Sequence, residues 1–237
     1  MTAFILKAFR SQEDRVVLRH TVMNIICFGD SITHASEFAI TNQWPALLQN
    51  KLDDWRPHTY NVYNKGIGGD TTALALDRFL EDVIPLLPGV LLVQFGINDS
   101  DHREWTHIPR VGIEEFKKNL TEFHRLCTKR NGRCVFIVNH PLGIGSVRQG
   151  NRRSLRTNYA PYNDAIRETA SELGAPIIDL PLLITRRRIR LKDFLQEDGI
   201  HLMPHGNHLY ADMVFKQLKE SILSSVQEDI RHEPHTK

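Results

Sequence analysis

Ile25-Ile26-Cys27-Phe28-Gly29-Asp30-Ser31 is the stretch on which the fold turns. Four apolar residues in a row, half of them β-branched, have the length and shape of a buried strand, and Gly29 punctuates it. A serine just past a central strand is held by the strand and lifted by the turn into the crevice at the carboxyl edge of the sheet. Gly, Asp and Ser are also ordinary turn residues, so the tripeptide gains meaning only from the residues further down the chain.

Downstream, strand and helix patterns alternate. Trp44-Pro45-Ala46-Leu47-Leu48, running on to Leu52 and Trp55, predicts a first helix with proline near its start. Tyr60 to Asn64 predicts a second strand, and a glycine-rich turn, Gly66 to Thr72, comes next. Leu76, Phe79, Leu80, Val83 and Leu87 fall at helical spacing. Val90-Leu91-Leu92-Val93-Gln94-Phe95 is almost unbroken apolar sequence, as expected of a strand buried on both faces of a parallel sheet. Ile113, Phe116, Leu120, Phe123 and Cys127 mark a helix, and Cys134 to Val138 a strand ending at Asn139-His140-Pro141. Tyr162, Ile166, Ala170 and Leu173 mark another helix, closed by Gly174. Pro176-Ile177-Ile178 is the fifth strand, and Tyr210, Val214, Leu218 and Ile222 the last helix. Five alternations imply right-handed crossovers and a parallel sheet with helices on both faces. The expected class is α/β, with 1–22 as an N-terminal extension, 23–227 as one domain and 228–237 as a patternless tail.

Polar or glycine clusters fall at four strand ends: Gly29-Asp30-Ser31, Gly66 to Asp70, Gly96 to Asp99, and Asn139 to Pro141. Before the last helix stands Asp198-Gly199-Ile200-His201, an Asp-Gly turn that also places a carboxylate three residues ahead of an imidazole. Together these supply an acyl-transfer site. Ser31 is the candidate nucleophile, His201 the base that takes its proton, and Asp198 the carboxylate that orients His201. The N–H of Gly69, the N–H of Ser31 and the side-chain amide of Asn98 are candidate donors to the oxyanion.

In their order, Gly29-Asp30-Ser31, Gly69-Asp70, Gly96-Ile97-Asn98-Asp99 and Asp198-Gly199-Ile200-His201 resemble the four blocks of the SGNH (GDSL-like) hydrolase family, lipase/acylhydrolase type. Trp44-Pro45-Ala46-Leu47 after the first block adds to the likeness, which spans roughly Asn24 to Phe215. The resemblance implies a flavodoxin-like three-layer α/β/α sandwich with a five-stranded parallel sheet. It implies esterase or lipase-type chemistry without metal or organic cofactor. Ser31, Asp198 and His201 would be catalytic, with Gly69 and Asn98 lining the oxyanion hole. Gly69 rather than Gly66 or Gly68 is chosen because the family's second block ends in Gly-Asp.

Other readings fit less well. Gly-x-Ser-x-Gly does not occur, against a standard α/β-hydrolase. The turn Gly66 to Thr72 matches neither the dinucleotide fingerprint nor the P-loop. His201, His205 and His208 lack the Glu of His-Glu-x-x-His, so no metal site is expected. A net charge of +2 is too small to announce a nucleic-acid partner. No apolar run approaches membrane-spanning length. Three cysteines in a chain without a secretory signal suit a reducing, cytoplasmic setting. The expected substrate is a small ester with a short acyl group, such as a carbohydrate acetate. Alternatives are a lysophospholipase or acyl-CoA thioesterase, an acyltransferase, or a non-catalytic domain that binds acyl ligands. Arg148, Arg152, Arg153 and Arg156, in a loop after the fourth strand, and a second run from Arg186 to Lys192 are by default solvated faces; the sharper reading is that they draw an anionic substrate. Arg152, Arg153 and His140 are the expected substrate contacts.

Overall fold

The computed structural model describes residues 22–143 and 148–222. Apart from Val22, the expected extension at 1–22 lies outside the described residues, as does the tail at 228–237. Five parallel strands form one sheet in the order β2-β1-β3-β4-β5. They are β1 (Met23–Gly29), β2 (Tyr60–Gly66), β3 (Gly89–Gln94), β4 (Arg133–Val138) and β5 (Ile177–Asp179). This is the flavodoxin-like order, and its direction reverses at β1, which has β2 on one side and β3 on the other.

Alternation along the strands builds two cores. Ile25, Cys27, Val90, Leu92, Val135 and Ile137 point to one face, where α2 (Trp44–Trp55) and α7 (Pro204–Gln217) lie. Trp44 and Tyr210 meet there with ring centroids 4.8 Å apart. Ile26, Phe28, Leu91, Val93 and Phe136 point to the other face, under α3 (Thr72–Asp82), α4 (Ile113–Thr128) and α5 (Leu155–Leu173). Phe28 there takes the edges or faces of Phe79, Phe95 and Phe123 at 5.3–5.6 Å. These two layers account for the apolar spacing of most of the predicted helices.

Three local departures from the sequence expectation have plain causes. The helix marked by Leu76 to Leu87 stops at Asp82, and a 3₁₀ turn over Ile84–Leu86 comes after it; Pro85 and Pro88 prevent continuation, and Leu80 is 64% exposed. Two short helices carry too few residues to show a period. One is α1 (Ser31–His34), and the other is α6 (Leu180–Arg186), capped by the Asp179 carboxylate on Leu182 N–H. The last helical pattern splits, with α7 ending at Gln217 and a π turn over Leu218–Ile222.

Candidate active site

Ser31 opens α1 directly behind β1, at the switch point of the sheet. Asp30 caps this turn: its fully buried carboxyl accepts from Ile32 N–H at 3.0 Å and lies against the Gln94 amide. Burial pushes the Asp30 carboxyl up to about 7, despite the Ile32 hydrogen bond. Gly29 has to be glycine, because a Cβ there would stand 2.3 Å from Thr33 Oγ1 and 2.7 Å from the Gln94 carbonyl. Beneath the serine, Thr33 Oγ1 donates to Gln94 Oε1 at 2.8 Å, and Gln94 Nε2 donates to Asn139 Oδ1 at 2.7 Å. Asn139 Nδ2 in turn donates to Phe95 O at 2.7 Å. One buried line of amides thus ties the carboxyl ends of β1, β3 and β4.

His201 arrives from the segment before α7. Its ring lies between Ser31 Oγ, 2.9 Å from Nε2, and Asp198 Oδ2, 2.6 Å from Nδ1. A carboxylate only accepts, so Nδ1 carries the proton and Nε2 is left as an acceptor for the serine hydroxyl. Asp198 Oδ1 also accepts from Ile200 N–H and His201 N–H, at 2.8 and 3.0 Å. Partial burial raises the Asp198 carboxyl, but the His201 ring and the two N–H groups outweigh it and hold it below the usual carboxylate range.

Among the described residues, the N–H of Ser31, the N–H of Gly69 and the side-chain amide of Asn98, the three expected oxyanion donors, donate to no protein acceptor. Gly69 sits at φ +77°, where a side chain would be strained. Arg110 donates to Gly69 O at 2.9 Å. Asp99, next to Asn98, accepts from both Thr72 N–H (2.9 Å) and Thr72 Oγ1 (2.6 Å) at the start of α3. The loops that carry the Gly69 and Asn98 donors are therefore bound to each other. Burial pushes the Asp99 carboxyl up to about 6.

Three expected contacts fall elsewhere. His140 is fully buried and does not face the crevice; its Nε2–H donates to Ile200 O at 2.9 Å, so it holds the loop between Asp198 and His201. Burial pushes its pKa down to about 4, keeping the ring neutral, and among the described residues Nδ1 has no partner. Arg152 and Arg153 sit in a tight turn, closed by Arg148 pairing with Ser154, and both side chains are exposed to solvent. Arg148 and Arg156, not these two, face the cavity beside Asp198, and Arg156 belongs to α5 rather than to a loop. In the second basic run, Arg187 pairs with Asp212 and Arg190 with Asp193. Sequence reasoning missed Gln94 altogether; its signal was a lone amide inside an otherwise apolar strand. Among the described residues no group of histidine, cysteine, aspartate or glutamate side chains could hold a metal ion, and no helix is long and apolar enough to cross a membrane.

A doubly wound sheet with a serine, an imidazole and a carboxylate in hydrogen-bonded line at its switch point has the architecture of the α/β/α ester hydrolases. The chain belongs to the GDSL-like lipase/acylhydrolase family, whose model matches residues 27–209, and it is an ester-bond hydrolase. It is 26% identical over 218 residues to a bovine protein named isoamyl acetate-hydrolyzing esterase 1 homolog, covering 84% of this chain and 83% of that one. It is 28% identical over 198 residues to the Escherichia coli protein named thioesterase 1/protease 1/lysophospholipase L1, covering 82% and 83%. Its fold matches the crystal structure of an acetyl xylan esterase, AlAXEase, with a TM-score of 0.68 at 23% identity, covering 83% of this chain and all of the other.

Proposed function

We propose that the chain hydrolyses short-acyl esters through Ser31, His201 and Asp198. The observation that carries this reading is the line Ser31 Oγ–His201–Asp198, with contacts of 2.9 and 2.6 Å. Ser31 Oγ attacks the ester carbonyl while His201 Nε2 takes its proton. The carbonyl oxygen, now negative, falls to Ser31 N–H, Gly69 N–H and the Asn98 amide, each donor worth about 3 kcal/mol of barrier. The carbon–oxygen bond to the alcohol breaks, and His201 passes its proton to the leaving oxygen. Water then attacks the acyl-enzyme, gives a proton to His201, and the acid leaves as Ser31 regains its hydrogen. Asp198 stays ionised throughout and supports the imidazolium.

The acetate ester named for the bovine relative supports a short acyl group. Three buried, unpaired cysteines support the reducing, cytoplasmic setting. A panel of p-nitrophenyl esters from acetate to laurate, with acetyl- and palmitoyl-CoA beside it, tests the assignment. Turnover is expected to be highest for acetate or butyrate and to vanish in Ser31→Ala. A preference for laurate or for acyl-CoA contradicts the short-acyl ester reading, and turnover of none contradicts catalysis.

A further inference from the structure

Asn98 and Gly69, the two donor residues that face Ser31 from other strands, are not held alike. Asn98 lies beyond the end of β3, and Asp99 beside it is buried and bonded to Thr72 N–H and Thr72 Oγ1 at 2.9 and 2.6 Å. Gly69 ends the turn Gly66-Ile67-Gly68-Gly69, where three residues in four have no side chain to restrict the backbone. Packing does not hold it. A Cβ on Gly69 would meet no atom within 4 Å, and one on Gly68 would meet His34 Nδ1 at 3.9 Å. Backbone bonds fasten the turn at Ile67, whose N–H donates to Gly29 O at 3.0 Å and whose carbonyl accepts from Asp70 N–H at 3.2 Å.

Gly69 itself is caught by Arg110, whose Nη1 donates to Gly69 O at 2.9 Å. The base of Arg110 is fixed: its own N–H donates to Asp101 O at 3.0 Å, and Val111 N–H donates to Asp99 O at 3.1 Å. Those carbonyls belong to the segment that comes directly after Asn98. One residue thus has its backbone on the Asn98 side of the oxyanion hole and its guanidinium on the Gly69 side. The acids whose charge reaches Arg110 are engaged elsewhere: Asp70 with Arg78 at 2.7 Å, Asp101 with Arg103 at 3.2 Å, and Asp99 with Thr72. Among the described residues Arg110 makes no ion pair, so a salt bridge does not explain its placement. A single bond at the surface adds little to folding. Its effect falls on where Gly69 stands, and a charged donor keeps its hold on an exposed carbonyl better than a neutral one.

We propose that Arg110 is a positioning residue of the oxyanion hole: it holds Gly69 so that its N–H and the Asn98 amide converge on the oxygen that becomes negative. The proposal rests on the ester-hydrolase reading above and adds the residue that keeps one of its donors in place.

The test measures kcat and KM for p-nitrophenyl acetate, Ki for a trifluoromethyl ketone, and the urea unfolding midpoint, in wild type, Arg110→Ala and Arg110→Lys. Ser31 Oγ adds to the carbonyl carbon of such a ketone, its proton passes to His201, and the ketone oxygen remains as a bound oxyanion. In Arg110→Ala, kcat is expected to fall about 20-fold with KM within about twofold of wild type, a smaller loss than removal of a whole donor brings. Ki for the ketone should rise by the same factor, and the unfolding midpoint should stay near that of wild type. Since one N–H of the guanidinium is used, the ammonium of Arg110→Lys should recover most of both losses. An unchanged kcat in Arg110→Ala, with wild type active, overturns the positioning role and leaves the esterase reading intact. So does a loss confined to KM, a fall in kcat with Ki for the ketone unmoved, or no recovery in Arg110→Lys. A lowered unfolding midpoint in both variants makes Arg110 a residue of the fold and overturns the proposal as well. No turnover of any ester by wild type overturns the esterase reading, and the proposal with it.

Discussion

Ser31 and His201 meet from two walls built in different ways. The serine wall is interior: Asp30, Thr33, Gln94 and Asn139 are all no more than 1% exposed and bonded across three strands. Arg78 closes it from outside, with its guanidinium 4.4 Å over the Phe28 ring and paired with Asp70 at 2.7 Å. The histidine wall is a surface loop, its Asp198 side chain 42% exposed. It is fastened to the end of β4 by His140 on Ile200 O and by Gly143 N–H on Gly199 O at 2.7 Å. Buried polar bonds are worth most where water cannot compete, so Ser31 is fixed by the core and His201 by a few anchoring contacts. The two walls should therefore fail differently: damage to the first should appear as lost stability, damage to the second as lost turnover.

The greatest loss is expected where the walls touch. Ser31→Ala should lower kcat/KM for p-nitrophenyl acetate by about 10⁴-fold or more while leaving the unfolding midpoint close to wild type. A residual rate within tenfold of wild type would remove the serine from the chemistry.

The interior wall should show itself in pH dependence. Asp30 is an acid raised in the folded state to about 7 from a reference of 3.8. Between those values the native protein holds a proton that the unfolded chain has released, so this group's contribution falls as pH rises from about 4 to 7, by up to about 4 kcal/mol. Asn keeps the cap and cannot titrate. Urea unfolding of wild type and Asp30→Asn across that range should therefore show the variant gaining on wild type as pH rises. His140, lowered to about 4, acts with the opposite sign over a similar window, which is why the difference between the two proteins, not either curve alone, is the readout. A difference independent of pH would contradict the raised carboxyl.

The outer wall should show itself in kcat. His140→Leu removes the donor to Ile200 O and should cost on the order of 10²-fold in kcat with KM little moved, since a small misplacement of His201 is enough. His140→Gln, whose amide nitrogen reaches a similar position, should restore most of the rate. A pure KM effect, or no rescue by Gln, would make His140 a packing residue only. The mildest change is expected at Gln94→Leu, which strands Thr33 Oγ1 and Asn139 Oδ1; a stability loss of about 2 kcal/mol by urea unfolding should exceed its effect on kcat.

The sequence made the first wall easy to see and the second hard. Apolar runs at β1, β3 and β4 are long enough for their pattern to be unambiguous, and the glycines and acids that come after them mark the strand ends. Ser31 and Asn98 therefore stand out as candidates through position as well as type, whereas Gly69 is singled out from its glycine-rich turn only by the family's Gly-Asp block. Asp198 and His201 were legible only through their spacing, because the segment before α7 has no period. His140 was misassigned for a physical reason: a histidine at a strand end looks alike whether it turns toward the crevice or into the core, and only burial separates the two. Arg152 and Arg153 lie in the turn closed by the Arg148–Ser154 bridge and are exposed to solvent, a placement that a count of arginines in one stretch does not show. α1 and α6 were invisible because one or two helical turns carry no periodicity.

The proposed mechanism stands on Ser31 being made nucleophilic by His201. A fluorophosphonate that modifies activated serines, followed by mass spectrometry of the digested protein, measures this property itself. A single adduct is expected on the peptide containing Ser31, absent in Ser31→Ala and formed at least about 10²-fold more slowly in His201→Ala. Labelling of Ser31 at the same rate in His201→Ala, or an adduct on another serine of the wild-type protein with Ser31 untouched, would contradict it.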